Sequence, residues 1–180
     1  SGIEHADFSA TALESVGHSF LACCLSLKSV SLPRALQTLG DHAFTGSALV
    51  TVDLSGTGLA EIGHGAFAHC ANLTTVTFPA SLRRIGDRAF FNSGVRSLDL
   101  TATDVEAIGP LFMAMCHRLR TVALPSSLAA LEKETFSCCG FGTFTWTTAT
   151  VTALGDDFLG DCYELQRLSI PPSVARLGHG

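Results

Sequence analysis

The sequence predicts a solenoid, α/β in class but dominated by β-structure: a parallel sheet of about eight short strands, with short helical or 3₁₀ turns and loops on its other side. Three observations predict it. A glycine recurs every 23 residues, at Gly17, Gly40, Gly63, Gly86, Gly109, Gly155 and Gly178, with Glu132 where the count expects another. Each glycine follows a Val, Ile or Leu, as Glu132 follows Leu131. Seven residues after each of these positions from Gly17 to Gly155 stands a small residue: Cys24, Ser47, Cys70, Ser93, Cys116, Cys139 and Cys162. A fixed period without insertion means one supersecondary unit stacked on itself, here a single array over residues 1–180.

The strands come first in each coil, and they divide into two kinds. One reads Cys-x-x-Leu-x-x-Val-x-Leu-Pro, as in Cys70-x-x-Leu73-x-x-Val76-x-Phe78-Pro79 and Cys116-x-x-Leu119-x-x-Val122-x-Leu124-Pro125. The other loses one residue before its strand and carries Ser or Thr in place of proline, as in Val52-Asp53-Leu54-Ser55 and Leu98-Asp99-Leu100-Thr101. The next connection restores the residue, so the true unit is 46 residues, the spacing of Pro33, Pro79, Pro125 and Pro171. Alternation turns apolar side chains to one face, and stacking on the next coil satisfies the backbone. Proline after the strand cannot donate to a ladder and sits where pairing stops.

A second apolar pair follows, Leu82 and Ile85 or Leu128 and Leu131, and turns the chain inward again. The Gly-x-x-Ala-Phe-x-x-Cys stretch then has helix-like spacing over about two turns, which predicts the short helical or 3₁₀ segment. Its large apolar column is Phe44, Phe67, Phe90, Met113 and Phe136, with Leu21 and Leu159 in the flanking coils. The preceding glycine supplies either a positive φ or a close backbone approach; Glu132 speaks against an obligatory positive φ.

Composition narrows the function classes. Apolar residues make up 47% and mean hydropathy is +0.36. Yet the longest uncharged stretch, Thr135 to Gly155, is threonine-rich and alternating, and so reads as strand rather than membrane-spanning helix. No basic region followed by an apolar core opens the chain. A formal charge of −5 with 11 Lys and Arg lacks the footprint of a nucleic-acid binder or a polybasic membrane surface. The expectation is no nucleic acid, no membrane insertion and no cofactor.

The repeat resembles the BspA-type leucine-rich repeat. Leu82-Arg83-Arg84-Ile85-Gly86-Asp87-Arg88-Ala89-Phe90 and Ile62-Gly63-His64-Gly65-Ala66-Phe67-Ala68-His69-Cys70-Ala71-Asn72-Leu73 carry the resemblance. The coils without proline and Glu132 depart from it. The resemblance implies a leucine-rich-repeat solenoid, a surface adhesin or interaction module of bacteria or parasitic protists, with no shared catalytic residues. It points to the cell surface or secretion, whereas unpaired cysteines favour a reducing compartment.

Both ends are read as cut through a coil. Ser1-Gly2-Ile3 aligns with Ser93-Gly94-Val95, Ala6-Asp7-Phe8 aligns with Leu98-Asp99-Leu100, and Leu177-Gly178-His179-Gly180 begins another repeat. The expectation is a segment of a longer protein, its ends covered by flanking repeats or neighbouring subunits.

The candidate site is the strand face that points away from the core. Alternation turns outward His5/Asp7, Ser29/Ser31, Thr51/Asp53, Thr75/Thr77, Ser97/Asp99, Thr121/Ala123, Thr143/Thr145 and Arg167/Ser169. The flanking column adds Glu4, Lys28, Arg96, Arg120 and Gln166. The selected binding face is Asp7, Thr51, Asp53, Thr75, Thr77, Arg96, Ser97, Asp99, Arg120, Thr121, Thr143, Thr145 and Arg167. Eight strands span about 34 Å, enough for a folded protein or an extended peptide. Against this stands a bland alternative: Ser and Thr simply suit a solvated β surface, and the face lacks aromatic anchors.

Other chemistry-bearing residues read as structural. The cysteine column shares its register with Ser47 and Ser93, which fits a size constraint better than a ligand set, and no zinc-type spacing exists. Coil spacing permits a disulfide among Cys116, Cys139 and Cys162, but the odd count of seven favours free thiols. Cys23 and Cys138 are expected to point away from the core. His18, His64 and His179 share a register position, the nearest pair about 10 Å apart, and His42, His69 and His117 lie elsewhere. No spacing pins Ser, His and Asp into a nucleophile–base pair. The reading is a non-catalytic recognition module for a protein partner, or alternatively a structural spacer in a larger assembly.

Overall fold

In a computed structural model, residues 2–146 and 150–180 are described; Ser1 and, within the uncharged Thr135–Gly155 stretch, residues 147–149 lie outside them. Each coil contributes three rungs, so the solenoid has three sides. With strands numbered in chain order, the odd ones form the front: β1 (His5–Asp7), β3 (Ser29–Ser31), β5 (Thr51–Asp53), β7 (Thr75–Thr77), β9 (Ser97–Asp99), β11 (Thr121–Ala123), β13 (Thr143–Phe144) and β15 (Arg167–Leu168). The even ones form the second side: β2 (Ser15–Val16), β4 (Thr38–Leu39), β6 (Glu61–Ile62), β8 (Arg84–Ile85), β10 (Ala107–Ile108), β12 (Ala130–Leu131), β14 (Ala153–Leu154) and β16 (Arg176–Leu177).

The 46-residue alternation shows directly in the front sheet. Strands bridge in twos, β1 with β3, β5 with β7, β9 with β11 and β13 with β15, all parallel. Within a pair Thr51 lies opposite Thr75 and Ser97 opposite Thr121. Between pairs the shorter coil shifts the register, and isolated bonds remain, such as Val50 N–H to the Lys28 carbonyl at 3.1 Å and Arg96 N–H to that of Thr74 at 3.4 Å.

The second ladder is regular from β2 to β10 and again from β12 to β16, with a break between β10 and β12. Its glycines have ordinary φ; their role is close approach. A Cβ on Gly40 would come within 2.7 Å of the Val16 carbonyl oxygen, and one on Gly86 within 2.7 Å of the His64 backbone nitrogen. The break falls beside Glu132, the one residue of that column with a side chain, because coils cannot close to bonding distance around a Cβ.

The third side corrects the helical expectation. Among the described residues there is no helix. Instead, alternate residues of the turn donate to the next coil: Ser19 N–H to the Asp41 carbonyl, Leu21 to Ala43 and Cys23 to Thr45, and likewise coil by coil to Asp157 with His179. The residues between close local turns, such as Ser47 N–H to the Phe44 carbonyl. Two left-handed residues per coil, four apart, make this ribbon possible: Ser19 and Cys23, His42 and Gly46, Gly65 and His69, and so on to Asp157 and Asp161, with φ between 50° and 67°. Most are not glycine, so the strain of each, about 1–2 kcal/mol, is offset by the bond it aligns.

Inside the three sides the apolar columns are filled. Phe44, Phe67 and Phe90 stack face to face, with ring centroids 5.5 and 5.1 Å apart. Phe112 then meets Phe90 edge-on at 5.7 Å, since the aromatic in that coil sits one place early, beside Met113. Phe136, Phe141 and Phe144 continue the core.

Candidate functional site

The front strands fall where alternation places them. Val52, Val76, Leu98 and Val122 are buried, while Thr51, Asp53, Thr75, Thr77, Ser97, Asp99 and Thr121 are exposed. Thr143 is exposed at the start of β13, and Thr145 is exposed just past its end. Ala123 is half-buried. The face is thus a grid of short hydroxyl side chains.

The aspartates on it are largely occupied. Asp53 Oδ1 accepts the Ser55 N–H at 3.0 Å, the Ser55 hydroxyl at 2.7 Å and the Thr77 hydroxyl of the neighbouring strand. Asp99 Oδ1 accepts Thr101 N–H at 2.9 Å and its hydroxyl at 2.6 Å, and Asp7 Oδ1 accepts Ser9 N–H at 2.9 Å. These bonds hold all three carboxyls below the usual range, led at Asp53 by the Thr77 hydroxyl, at Asp99 by that of Thr101 and at Asp7 by the Ser9 amide. Each is an Asx turn that ends its strand where the other coils use proline. The sequence signal was Asp-x-Ser/Thr, which the ligand reading passed over.

The arginines differ among themselves. Arg120 Nη1 donates to the carbonyls of His117 at 2.8 Å, Leu119 at 3.3 Å and Gly140 at 2.5 Å, so its guanidinium wedges the unbridged junction of β11 and β13. Its Nη2 lies 3.7 Å from Glu164. Arg96 and Arg167 are exposed, and among the described residues no ion pair holds them. Lys28 pairs with Glu4 at 2.8 Å. Over the β9–β13 junction lies a depression of about 430 Å³, lined in part by Ser97, Asp99, Arg120, Thr121, Ala123 and Phe141.

All seven cysteines are free; Cys23 is exposed and Cys138 half-buried, as expected of the two outside the core column. The core thiols donate to the preceding phenylalanine or methionine column: Cys70 to the Phe44 carbonyl at 3.1 Å, Cys116 to Phe90 at 3.2 Å, Cys139 to Met113 at 3.2 Å and Cys162 to Phe136 at 3.3 Å. Burial raises the pKa of all four, that of Cys116 to about 11. Among the described residues no cluster of His, Cys, Asp and Glu is placed to hold a metal ion.

The histidines need a correction. His42, one place further along its turn, packs edge-on against both neighbours, with ring centroids 5.5 Å from His18 and 4.9 Å from His64. Column counting missed this row because adjacent register positions converge in space on the turn side.

Fold and face together define a leucine-rich-repeat solenoid with a hydroxyl-rich outer sheet. The chain belongs to the BspA type leucine rich repeat family, matched in six copies over residues 2–110 and 97–180. That family is generally non-catalytic. The fold is similar to a leucine-rich repeat protein from Bacteroides ovatus, with a TM-score of 0.81 and 24% identity, over 91% of this chain and 43% of that one. A T. pallidum leucine rich repeat protein is 30% identical, with a TM-score of 0.76 over 84% of this chain and 71% of that one. A leucine rich cell surface protein from Faecalibacterium prausnitzii aligns with a TM-score of 0.52 and 20% identity, over 98% of this chain and 60% of that one. The chain thus spans under half of the B. ovatus protein and under two thirds of the F. prausnitzii one. No curated protein matches the chain.

Proposed function

We propose that the chain is a non-catalytic recognition module that binds a protein partner across the outward face of its front sheet. The observation that carries this reading is the face itself: an extended, solvent-exposed grid over eight strands, on which Arg96 and Arg167 stand without ion-pair partners among the described residues. Cell-surface placement of a structural relative agrees with an interaction role. The occupied aspartates shift the contact set towards Thr51, Thr75, Thr121, Thr143, Arg96 and Arg167, with Asp7, Asp53 and Asp99 shaping the surface.

The test is capture of partners from host or neighbouring-cell extracts with the wild-type chain and with Arg96→Glu/Arg167→Glu and Thr75→Lys/Thr121→Lys variants. Loss of the same captured proteins in both variants supports the sheet face; unchanged capture in both refutes it. The competing reading, a spacer within a larger assembly, is favoured by the bonding of Asp53 and Arg120 into the scaffold, and it requires capture to be indifferent to every sheet-face variant.

A further inference from the structure

Thiols stand in consecutive coils only towards the C-terminal end of the core column. Up to Cys116 the column alternates, Cys24, Ser47, Cys70, Ser93, Cys116; Cys139 and Cys162 then follow with no serine between. Side chains of neighbouring coils meet here: the Ser47 hydroxyl lies 3.4 Å from the Cys70 sulfur, and that of Ser93 3.4 Å from the Cys116 sulfur. From Cys116 onwards the repeat sets sulfur beside sulfur. Met115 N–H donates to the Ser137 carbonyl at 2.8 Å, so the coils keep bonding distance at this point. Neighbouring coils stack about 4.8 Å apart, within the Cα separation a disulfide spans.

Two neighbouring pairs are available, and their surroundings differ. The turn rung that carries Cys116 and Cys139 is flanked by a break on both sides. Before it, β10 and β12 do not pair; after it, β11 and β13 do not pair. The rung of Cys139 and Cys162 lies instead between two paired rungs, β12 with β14 and β13 with β15. The Cys139 thiol also reaches back over the coil of Cys116, to the Met113 carbonyl at 3.2 Å. On the outer side of the same turn lies a groove of about 540 Å³, lined in part by Met115, Ser137 and Cys138.

We propose that Cys116 and Cys139 form a redox site, oxidised by small disulfides to a bond that staples this rung. Both thiols are buried, so reaction proceeds when the rung opens. The Cys139 thiol gives its proton to water and its sulfur attacks the external disulfide. That S–S bond breaks, and one small thiol leaves after taking up a proton. The Cys116 sulfur, losing its own proton, swings away from the Phe90 carbonyl and displaces the second small thiol from Cys139. Two protein thiols are oxidised, and one external disulfide is reduced to two thiols. The bond ties the C-terminal coils to the rest in oxidising surroundings and frees them in reducing ones. It makes no use of the front face, so the two readings fail separately.

Hydroxyethyl disulfide, small and neutral, is the oxidant for the test, applied in native buffer at about pH 8.5. The chain carries Cys23→Ser and Cys138→Ser, which remove the two thiols outside the core; Ser19 already adopts the same left-handed backbone, with φ 54°. Trypsin and mass spectrometry should find residues 97–118 linked to residues 134–167, with Cys24 and Cys70 still free. A further Cys139→Ser should remove the link without unfolding the chain, since the column already holds serine at Ser47 and Ser93. In the oxidised chain the C-terminal coils should melt roughly 5 °C or more higher, and dithiothreitol should reverse the gain. The proposal is overturned by the absence of a link in native buffer, by a link confined to residues 134–167, or by one that survives Cys139→Ser.

Discussion

The thiol of Cys116 donates to the Phe90 carbonyl at 3.2 Å, and the Ser93 hydroxyl, in the same coil as Phe90, meets the same sulfur at 3.4 Å. This local chain repeats at Ser47, Cys70 and Phe44. The column therefore selects a small buried group with one weak donor, which cysteine and serine both supply. Cys116→Ala should cost about 1 kcal/mol in urea unfolding, while Cys116→Leu should cost more by overpacking.

Buried thiols also set an alkaline limit. Folding raises the Cys116 pKa from 9.0 to about 11, so above pH 9 the unfolded chain releases a proton that the native chain keeps. Stability should be complete below pH 9 and fall as pH rises towards about 11, by on the order of 2–3 kcal/mol from Cys116 alone. Denaturant melts at about pH 8 and about pH 10.5 measure it; Cys116→Ser should flatten the fall. In the native state at about pH 8 a thiol reagent should label Cys23 first, since Cys138 is partly buried and held protonated by that burial and by Asp161 and Glu134.

Asp53 tests structural against binding roles on one residue. Asp53→Ala should destabilise by about 1 kcal/mol through loss of its turn and cross-strand bonds, and Asp53→Asn by less, because an amide oxygen still accepts. Its pKa is lowered on folding, so its contribution is present above 3.8 and is lost as pH falls through the native value. The difference between wild type and Asp53→Asn in a urea series should therefore shrink in acid.

The glycine column predicts a gradient along one repeat position. Gly86→Ala should destabilise by about 1–3 kcal/mol, because its Cβ meets backbone at 2.7 Å. Gly17→Ala meets nothing within 4 Å and should be neutral or stabilising by up to about 1 kcal/mol. Paired thermal melts decide between this and a requirement for positive φ, which would make both changes equally harmful.

Arg120 separates packing from charge. Arg120→Lys keeps the charge but cannot reach the His117, Leu119 and Gly140 carbonyls together, and should lose about 1–2 kcal/mol. Urea melts of that variant against wild type measure the loss.

What the sequence disclosed follows from periodicity. The front strands were legible because Val76 or Leu98 alternates with polar neighbours, and the unit of two coils because one missing residue recurs every 46. The even strands are only two residues long, too short to alternate, so Ile85 read merely as an inward turn. The turn ribbon imitated helix spacing, and nothing about Arg88, Leu111 or Glu134 announces a left-handed backbone. At the candidate site, position was legible but occupancy was not: the sequence places Asp53 and Arg120 on the outer face, whereas only three-dimensional neighbours reveal that both are already bonded.

Glu132 has a consequence for how the molecule melts. The even ladder stops on one side of its coil, between β10 and β12, and the front sheet stops on the other, between β11 and β13. Front-sheet stops recur at every second junction, but here one adjoins the stop in the even ladder. Among the described residues the turn ribbon alone runs through both steps, so coupling across this coil is weakened on both sides. Heating should release the C-terminal coils ahead of the rest, giving a calorimetric enthalpy larger than the van't Hoff value. Glu132→Gly, by letting β10 and β12 close, should bring the two enthalpies together: a single carboxylate side chain sets how many cooperative blocks the solenoid has.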